Sequence, residues 1–356
     1  MKGGLLAAPI EQVLADVRFF PAHIDFEREC LILIETSRDR LTSTPFLDGR
    51  SKIAEGIALE LPLREALEAE WPLSRQPDRF IFHVAYCGST LLATLLDIEG
   101  RTFAEREPHV LVELANAWGY HEPALVRSSL ELMRDLLRRP WHAGEVNVCK
   151  PSNWANPLLP LLTAEPERIR PLFVTTGKRS YLHSLFRGGR ERMVYVIRAT
   201  EHLLKHTPDG AQLWHRATAG TDDPLERAAR IALVSLHVQV QMFEQAMIAG
   251  GWGSAQVVTL EEIEEDPLGA CMFASAALDL RLSAGALDRV IDARVHRYAK
   301  DPSTTYSQEW TASQNRQIDA NYGRVIDRAL DWAALSNLKD DSILLSHGGG
   351  RAALSA

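Results

Sequence analysis

The chain has 356 residues, of which 46% are hydrophobic and 24% charged, and its formal net charge is −8. Such a chain can bury a sizeable core, and its negative charge argues against a broad surface for nucleic acid or for an anionic membrane. No stretch approaches the ~20 apolar residues of a membrane span, so we expect a cytoplasmic protein without nucleic-acid or membrane partners.

The cysteines and the N-terminus support the same expectation. The four cysteines form no CxxC pair, which argues against a zinc knuckle or redox motif and for reduced thiols. The apolar run at residues 3–10 is too short for a signal peptide. No His, Asp or Glu cluster has the spacing of metal ligands, so the sequence predicts no metal site.

In chain order, the first predicted elements belong to an N-terminal extension. It contains a predicted strand over 30–34 and a short predicted helix over 62–71, with a turn at Asp48-Gly49 between them. The patterns predict three parts: an N-terminal extension over 1–75, an α/β domain over 76–335 and a C-terminal tail over 336–356.

In the main domain, predicted strands alternate with predicted helices. Short apolar runs predict strands at 79–84, 102–104, 145–149, 171–175 and 256–260, and helical spacing predicts helices over 91–98, 108–118, 123–139, 154–162, 224–249 and from 267. This alternation predicts an α/β fold, a three-layer parallel sheet with helices on both faces. Residues 193–198 fit either a strand or a helix, and the arginines at 187, 190 and 192 predict a mobile basic loop.

The most informative stretch is FIFHVAYCGSTLL at 80–92, where an apolar run stops at Cys87-Gly88-Ser89-Thr90 and an amphipathic segment follows at once. Strand, tight turn and helix together aim backbone N–H groups at an anion. The small, hydroxyl-bearing turn lets a phosphate approach the main chain. We therefore expect a phosphorylated nucleotide at the carboxyl end of the first sheet strand. The lysine of GxxxxGK[ST] is absent, as is GxGxxG, which argues against an ATPase or kinase.

This loop resembles the 5′-phosphosulfate-binding loop of the sulfotransferases, which use 3′-phosphoadenosine 5′-phosphosulfate and whose loop is roughly PRSGTTLL or PKSGTTWL. The family's glycine, two hydroxyl residues and apolar pair correspond to Gly88, Ser89, Thr90, Leu91 and Leu92. Tyr86 stands where the family has its basic residue. That basic residue normally polarises the departing phosphosulfate, so Tyr86 is the main departure from the pattern.

Two further stretches match the family in the right chain order. NVCKPS at 147–152 resembles the family's apolar strand that ends in lysine, here Lys150, and Ser152 stands where some members have a catalytic histidine. LEEIEEDP at 260–267 resembles the family's YEDLxxDP, which ends the last core strand and begins a helix. Its role there is structural, because its acids solvate a turn and favour the helix N-terminus.

The stretch 172–184 resembles the family's 3′-phosphate-binding strand and loop, roughly RxPRDxxxS. Arg179 falls on the second basic residue and Ser184 on the closing serine, whereas Thr176 replaces the first arginine. Because the fork of an arginine suits phosphate oxygens, the resemblance implies that Arg179 and Ser184 bind the 3′-phosphate.

The resemblance covers roughly residues 78–310 and implies a divergent bacterial-type sulfotransferase on a P-loop-type nucleotide-binding fold. It implies transfer of sulfate from 3′-phosphoadenosine 5′-phosphosulfate to a hydroxyl or amine of an unknown small-molecule acceptor, without a metal. The residues implied in co-substrate binding are Tyr86, Cys87, Gly88, Ser89, Thr90, Leu91, Arg179, Ser184, Arg297 and Lys300. The implied catalytic residues are Glu107 as general base, with His109 and Glu105 as alternatives, and Lys150 as the cation that Tyr86 does not supply.

Each assignment has a structural alternative. Ser89 alternatively caps a helix, Glu107 favours a helix N-terminus as a first-turn acid, and Lys150 forms a surface salt bridge. Arg297 and Lys300 alternatively belong to a solvated charge cluster. For the whole protein, the alternatives are a non-catalytic nucleotide-binding protein on the same fold and an atypical nucleotide-dependent phosphotransferase. The sequence indicates neither the acceptor nor the oligomeric state.

Overall fold

The structure is a computed structural model that describes residues 8–73, 76–294, 297–298, 301–305 and 308–346. Of residues 294, 297–298, 301–305 and 308–309 only the backbone is described. The strands are β1 Phe19–Asp25, β2 Cys30–Glu35, β3 Ala58–Pro62, β4 Asp78–His83, β5 Thr102–Arg106, β6 Val146–Lys150, β7 Ile169–Thr175, β8 Val257–Thr259, β9 Arg297–Tyr298 and β10 Asp301–Thr305.

The helices, in chain order, are α1 Ile10–Ala15, α2 Arg38–Ser43, α3 Leu63–Glu68, α4 Ser89–Leu96, α5 His109–Ala117, α6 Pro123–Leu137, α7 Leu159–Leu162, α8 Lys178–Arg187, α9 Gly189–Leu204, α10 Gly210–Thr218, α11 Pro224–Gly250, α12 Leu260–Glu265, α13 Pro267–Ala277, α14 Ala284–Arg294, α15 Gln308–Leu335 and α16 Ser342–Ser346. Short 3₁₀ helices lie at Asn153–Leu158, Pro166–Arg168 and Ser254–Gln256. The predicted helices over 108–118, 123–139 and 224–249 are confirmed as α5, α6 and α11.

A five-stranded parallel sheet in the order β5-β6-β4-β7-β8 forms the centre of the molecule. Every residue of β4 is buried, because helices cover the sheet. In this order β4, the first of the five strands in the chain, lies in the middle of the sheet. The chain runs first to β5 and β6 on one side and then crosses to β7 and β8 on the other. Ligands of open α/β sheets bind where the strand order reverses in this way, at the carboxyl ends of the strands.

Two groups of helices pack against this sheet, and the helices within each group contact one another. In one group, α11 contacts α7, α8 and α9, and in the other, α4 contacts α13 and α14. The rings of Phe82, Phe173 and Phe243 are in contact and join β4 and β7 to α11, with centroid distances of 5.7 and 5.1 Å. The predicted α/β class with a parallel sheet flanked by helices is confirmed, and the arrangement is compatible with three layers.

The structure corrects two local predictions. The predicted mobile basic loop is instead the junction of α8 and α9, with only Gly188 between the two helices. Residues 193–198, which fit either a strand or a helix, lie inside α9. Pro171 is the third residue of β7, although it was expected to be the first. Proline is tolerated there because β8 pairs with β7 only from Phe173 onward, so the missing N–H faces no partner strand.

The N-terminal residues form a three-stranded antiparallel sheet, β1-β2-β3, that packs onto the main domain. The guanidinium of Arg139 donates to the carbonyl oxygens of Leu14, Asp16 and Phe19 at 2.8, 2.8 and 2.6 Å. Arg38 of α2 forms ion pairs with buried carboxylates of the main domain. Residues 8–73 therefore share one hydrophobic core with the parallel sheet.

The chain continues beyond the sheet into α15 and α16, and it is anchored there to α11. Lys339 donates its backbone N–H to His237 Nδ1 at 2.8 Å, and its ammonium pairs with Glu244 at 2.6 Å. Among the described residues, every helix is too short or too polar to cross a lipid bilayer.

Two buried histidines predict a loss of stability in acid. Burial lowers the pKa of His237 to about 4, with Lys339 adding to the effect, and burial likewise lowers the pKa of His202 to about 4. An unfolded histidine has a pKa near 6.5. The unfolded state therefore binds more protons between about pH 6.5 and 4, and the free energy of unfolding falls as the pH falls through this range.

We expect His237→Asn to reduce this loss, because asparagine still accepts from the Lys339 N–H but does not titrate. The decrease in unfolding free energy between pH 7 and pH 5 should be smaller than in the wild type by roughly 1–2 kcal/mol. Urea unfolding followed by circular dichroism at both pH values measures it. The exposed His142 supplies the control variant, His142→Asn. An unchanged pH dependence in His237→Asn would show that the ring is not held neutral.

Candidate functional site

A cavity of about 660 Å³ opens at the carboxyl ends of the sheet strands. Its wall combines residues 85–91 after β4, Glu107 and His109 after β5, residues 152–154 after β6, and side chains of α8, α9 and α12. Phe46, Asp48 and Arg50 of the N-terminal part complete the wall. Cavities of this size hold ligands as large as a nucleotide.

The loop after β4 has an unusual backbone. Ala85, Tyr86 and Gly88 have φ values of 67°, 53° and 77°, and such values strain residues other than glycine by about 1–3 kcal/mol each. The Ala85 N–H donates to His83 Nδ1 at 3.1 Å, which helps to hold this conformation. Strain that the surroundings maintain is often found at functional sites.

The loop presents main-chain donors at the start of α4. Within the described part of the chain, the N–H groups of Gly88, Thr90 and Leu91 have no protein acceptor, as expected for the first turn of a helix. The N-cap residue is Gly88, without a side-chain cap, so the interpretation of Ser89 as the cap is wrong. The φ of Gly88 favours glycine, and a Cβ there would also make a tight contact, 3.0 Å from Leu260 Cδ1.

The remaining side chains of the loop are buried. The Cys87 thiol donates to the Val174 carbonyl at 3.3 Å, and burial raises its pKa. A nucleophilic cysteine needs a lowered pKa, so Cys87 is structural. Ser89 and Thr90 are 4% and 9% exposed, and both line the cavity.

Glu107 and Lys150 form an ion pair beside the loop. Lys150 Nζ lies 2.6 Å from Glu107 Oε1, and the lysine side chain is fully buried whereas the glutamate is 14% exposed. Lys150 is therefore not part of a surface salt bridge. Glu107 precedes α5 and has a φ of 61°, so it is not a first-turn acid either. The carboxylate faces the cavity with the ammonium behind it.

His83 supports this pair from β4. Its Nδ1 accepts from the Ala85 N–H, so in the neutral ring Nε2 carries the proton and donates it to the Pro151 carbonyl at 3.0 Å. Lys150 Nζ lies 3.0 Å from the same Nε2. The imidazole of His83 thus lies against the Lys150–Glu107 ion pair.

The two alternatives to Glu107 as a base lie in different surroundings. Glu105 is buried within β5, outside the cavity wall, and burial raises its pKa well above the usual range. His109 lines the cavity and is paired with Glu113, 3.4 Å away.

Arg192 provides the positive charge that the loop sequence lacks. Its guanidinium carbon lies 5.1 Å from the centroid of the Tyr86 ring, and its Nη1 donates to the Ser184 carbonyl at 2.5 Å. Burial raises the pKa of Tyr86, which keeps the phenol neutral. Sequence reasoning missed Arg192 as a site residue because only the packing of α9 across the loop brings it there.

The cavity carries charges of both signs. Its arginines are Arg50, Arg187 and Arg192, and its acids are Asp48, Glu107, Glu191 and Glu264. Arg50 pairs with Asp48 at 2.5 Å, and Glu107 pairs with Lys150. Arg187 of α8 and Arg192 of α9 thus add positive charge to the part of the cavity wall that lies beside the loop.

The structure separates the residues predicted to bind the 3′-phosphate. Ser184 lines the cavity, whereas Arg179 lies outside the wall and pairs with Asp319, 3.3 Å away, and with Asp327 of α15. Thr176 is buried and donates to Glu261 at 3.1 Å. Lys300 lies outside the described residues, and of Arg297 only the backbone is described, in β9.

The LEEIEEDP stretch follows β8 directly, forms the helix α12 and ends at the first residue of α13. Thr259 and Glu262 cap α12 reciprocally: the Glu262 N–H donates to Thr259 Oγ1 at 3.2 Å, and the Thr259 N–H donates to Glu262 Oε2 at 2.9 Å. Asp266 caps the following helix through the Gly269 N–H at 2.9 Å. These acids therefore have the structural role of capping α12 and α13.

Comparison with protein-family models, with curated proteins and with solved structures found no match to this chain.

Proposed function

We propose that the cavity binds a 3′-phosphorylated adenosine nucleotide and that the protein transfers a sulfuryl group from its 5′-phosphosulfate to a hydroxyl or amine. The observation that supports this most is that the N–H groups of Gly88, Thr90 and Leu91 have no acceptor among the residues that the structure describes. These three residues line the same cavity as Glu107, at the point where the strand order of the sheet reverses. A P-loop-type mode of nucleotide binding belongs to the same proposal.

The loop and Arg192 fit the phosphosulfate. Backbone N–H groups at a helix N-terminus and the positive helix dipole favour a phosphate oxygen. Arg192, held over Tyr86, adds a charged donor where negative charge grows on the leaving phosphate. The Tyr86 hydroxyl stays neutral and offers at most a hydrogen bond.

Glu107 fits the role of the base. The acceptor proton passes to the Glu107 carboxylate while the new bond from sulfur to the acceptor forms and the bond from sulfur to the phosphate oxygen breaks. The products are the sulfated acceptor and adenosine 3′,5′-bisphosphate. Lys150, fully buried behind the carboxylate, keeps Glu107 oriented and compensates its charge.

A binding titration tests the nucleotide. Adenosine 3′,5′-bisphosphate at about 100 times its dissociation constant should stabilise the protein by about 2.7 kcal/mol in a thermal-shift assay. Arg192→Met should weaken this binding by roughly tenfold or more, because charge-assisted hydrogen bonds are worth about 1.5–3 kcal/mol. Arg198→Met, an exposed arginine of the same helix, is the matched control. No stabilisation of the wild type, or equal binding by both variants, would refute nucleotide binding in this cavity.

One observation favours a second candidate, a protein that uses a nucleotide without a 3′-phosphate. Arg179, expected at the 3′-phosphate, is paired with Asp319 and Asp327 outside the cavity wall. This candidate includes an atypical phosphotransferase. A competition titration distinguishes the two, since adenosine 5′-phosphates with magnesium would then displace the bisphosphate with equal or higher affinity.

A further inference from the structure

A second cluster of side chains lies at the rim of the cavity, where the N-terminal sheet meets α5. His23 projects from β1, and His109 and Glu113 lie one turn apart on α5. One nitrogen from each histidine and one carboxylate oxygen all lie within 4.8 Å of one another. Within the described part of the chain, no other three His, Cys, Asp or Glu side chains come together in this way.

The distances within this cluster suit a tetrahedral metal ion. Glu113 Oε1 lies 3.0 Å from His23 Nδ1 and 3.4 Å from His109 Nε2. Tetrahedral zinc, with bonds of about 2.0–2.2 Å to nitrogen and oxygen, separates neighbouring ligand atoms by about 3.3 Å. Two of the three distances between the ligand atoms are therefore already close to those of a tetrahedral zinc site.

The carboxylate is oriented for this role. Glu113 Oε2 accepts the Ile24 N–H at 2.7 Å, which leaves Oε1 directed between the two imidazoles. The backbone N–H of His109 donates to the Leu47 carbonyl at 3.0 Å, and this bond fixes the start of α5. Carboxylate ligands of metal sites are typically held by a second hydrogen bond, as Glu113 is held by the Ile24 N–H.

We infer that His23, His109 and Glu113 bind a divalent transition-metal ion of the Zn²⁺ class, with an open fourth position. Two imidazoles and one carboxylate are a ligand set that zinc accepts with a water as fourth ligand. The side chains of His23, His109 and Glu113 are 46%, 29% and 22% exposed, so an ion and its water can enter. The ion would link β1 to α5 at the cavity rim, where its ligand His109 lies two residues after Glu107 in the chain. Binding of the ion requires no nucleotide.

Titration of metal-free full-length protein with ZnCl₂ by isothermal titration calorimetry tests this site. We expect one Zn²⁺ per chain and a higher melting temperature with zinc. His23→Gln and Glu113→Gln should each weaken binding by at least about tenfold, because each removes one of three ligands. His142→Gln, at an exposed histidine outside the cluster, should bind like the wild type.

A spectroscopic titration provides a second readout that does not depend on stability. Co²⁺ in a tetrahedral site absorbs visible light strongly, and the band should appear in the wild type and disappear in both ligand variants. The variants should match the wild type in far-ultraviolet circular dichroism without metal. Absence of saturable Zn²⁺ binding, or binding that both ligand variants retain, would overturn the site.

Discussion

Replacing Glu107 by glutamine is expected to lower the rate of sulfuryl transfer by about 10²- to 10⁴-fold, the usual contribution of a general base. Glutamine has nearly the same shape but cannot take the acceptor proton. The nucleotide should bind with nearly unchanged affinity, because the loop amides and Arg192 lie elsewhere on the cavity wall. Transfer of radiolabelled sulfate to acceptors in a cell extract measures the rate, and Glu201→Gln, exposed on α9, is the control.

The same substitution also removes the counter-charge of a fully buried lysine. Lys150 keeps a hydrogen-bond acceptor in Glu107→Gln but loses its ion-pair partner, and we expect the free energy of unfolding to fall by roughly 1–3 kcal/mol. The double variant Glu107→Gln/Lys150→Met should recover most of that stability without recovering transfer. Transfer that survives in Glu107→Gln would exclude Glu107 as the base, and a protein that transfers no sulfate at all would be a binding protein.

Replacing Arg38 by methionine is expected to lower the free energy of unfolding by about 3–5 kcal/mol, because it leaves buried charges without a partner. Arg38 Nε and Nη2 lie 2.9 Å from Glu145 and 2.9 Å from Asp97, respectively, and Nη2 also donates to the Thr102 carbonyl at 3.0 Å. The two carboxylate side chains are 0% and 1% exposed. This loss is a large part of the stability of a typical domain, about 5–15 kcal/mol.

Urea unfolding followed by circular dichroism measures the loss. The matched control is Arg28→Met, which breaks an exposed pair with Glu60 and should change stability by less than about 1 kcal/mol. The triple variant Arg38→Met/Asp97→Asn/Glu145→Gln should regain part of the stability, because no uncompensated charge remains. A change below 1 kcal/mol in Arg38→Met would show that this connection between α2 and the parallel sheet is not important for folding.

Much of the fold was predictable because its signals are local in sequence. The strands β4 and β7 are continuous apolar runs, as buried parallel strands are, and α11 has an apolar face repeated over 27 residues. The N-terminal sheet was predicted only in part. β1 contains a proline and a partly exposed histidine, so its pattern is weak, and its pairing with β2 compensates for that.

The candidate site was predictable to a smaller degree. The loop after β4 and the position of Glu107 follow from short motifs at strand ends, and parallel strands bring such ends together. Arg192, about a hundred residues further along the chain, had no signal beyond being one arginine among several. Its place over Tyr86 depends on how α9 packs across the loop.

The sequence by itself therefore determined the α/β alternation, the turn that exposes backbone N–H groups and the order of the strand ends that carry polar residues. Only the tertiary structure decided that Lys150 is fully buried against Glu107, that Arg179 pairs with α15, and that His23 meets His109 and Glu113. The physical reason is that periodicity and turn chemistry act between neighbours in the chain. Burial and charge pairing act between residues far apart in the sequence, which only the folded packing brings together.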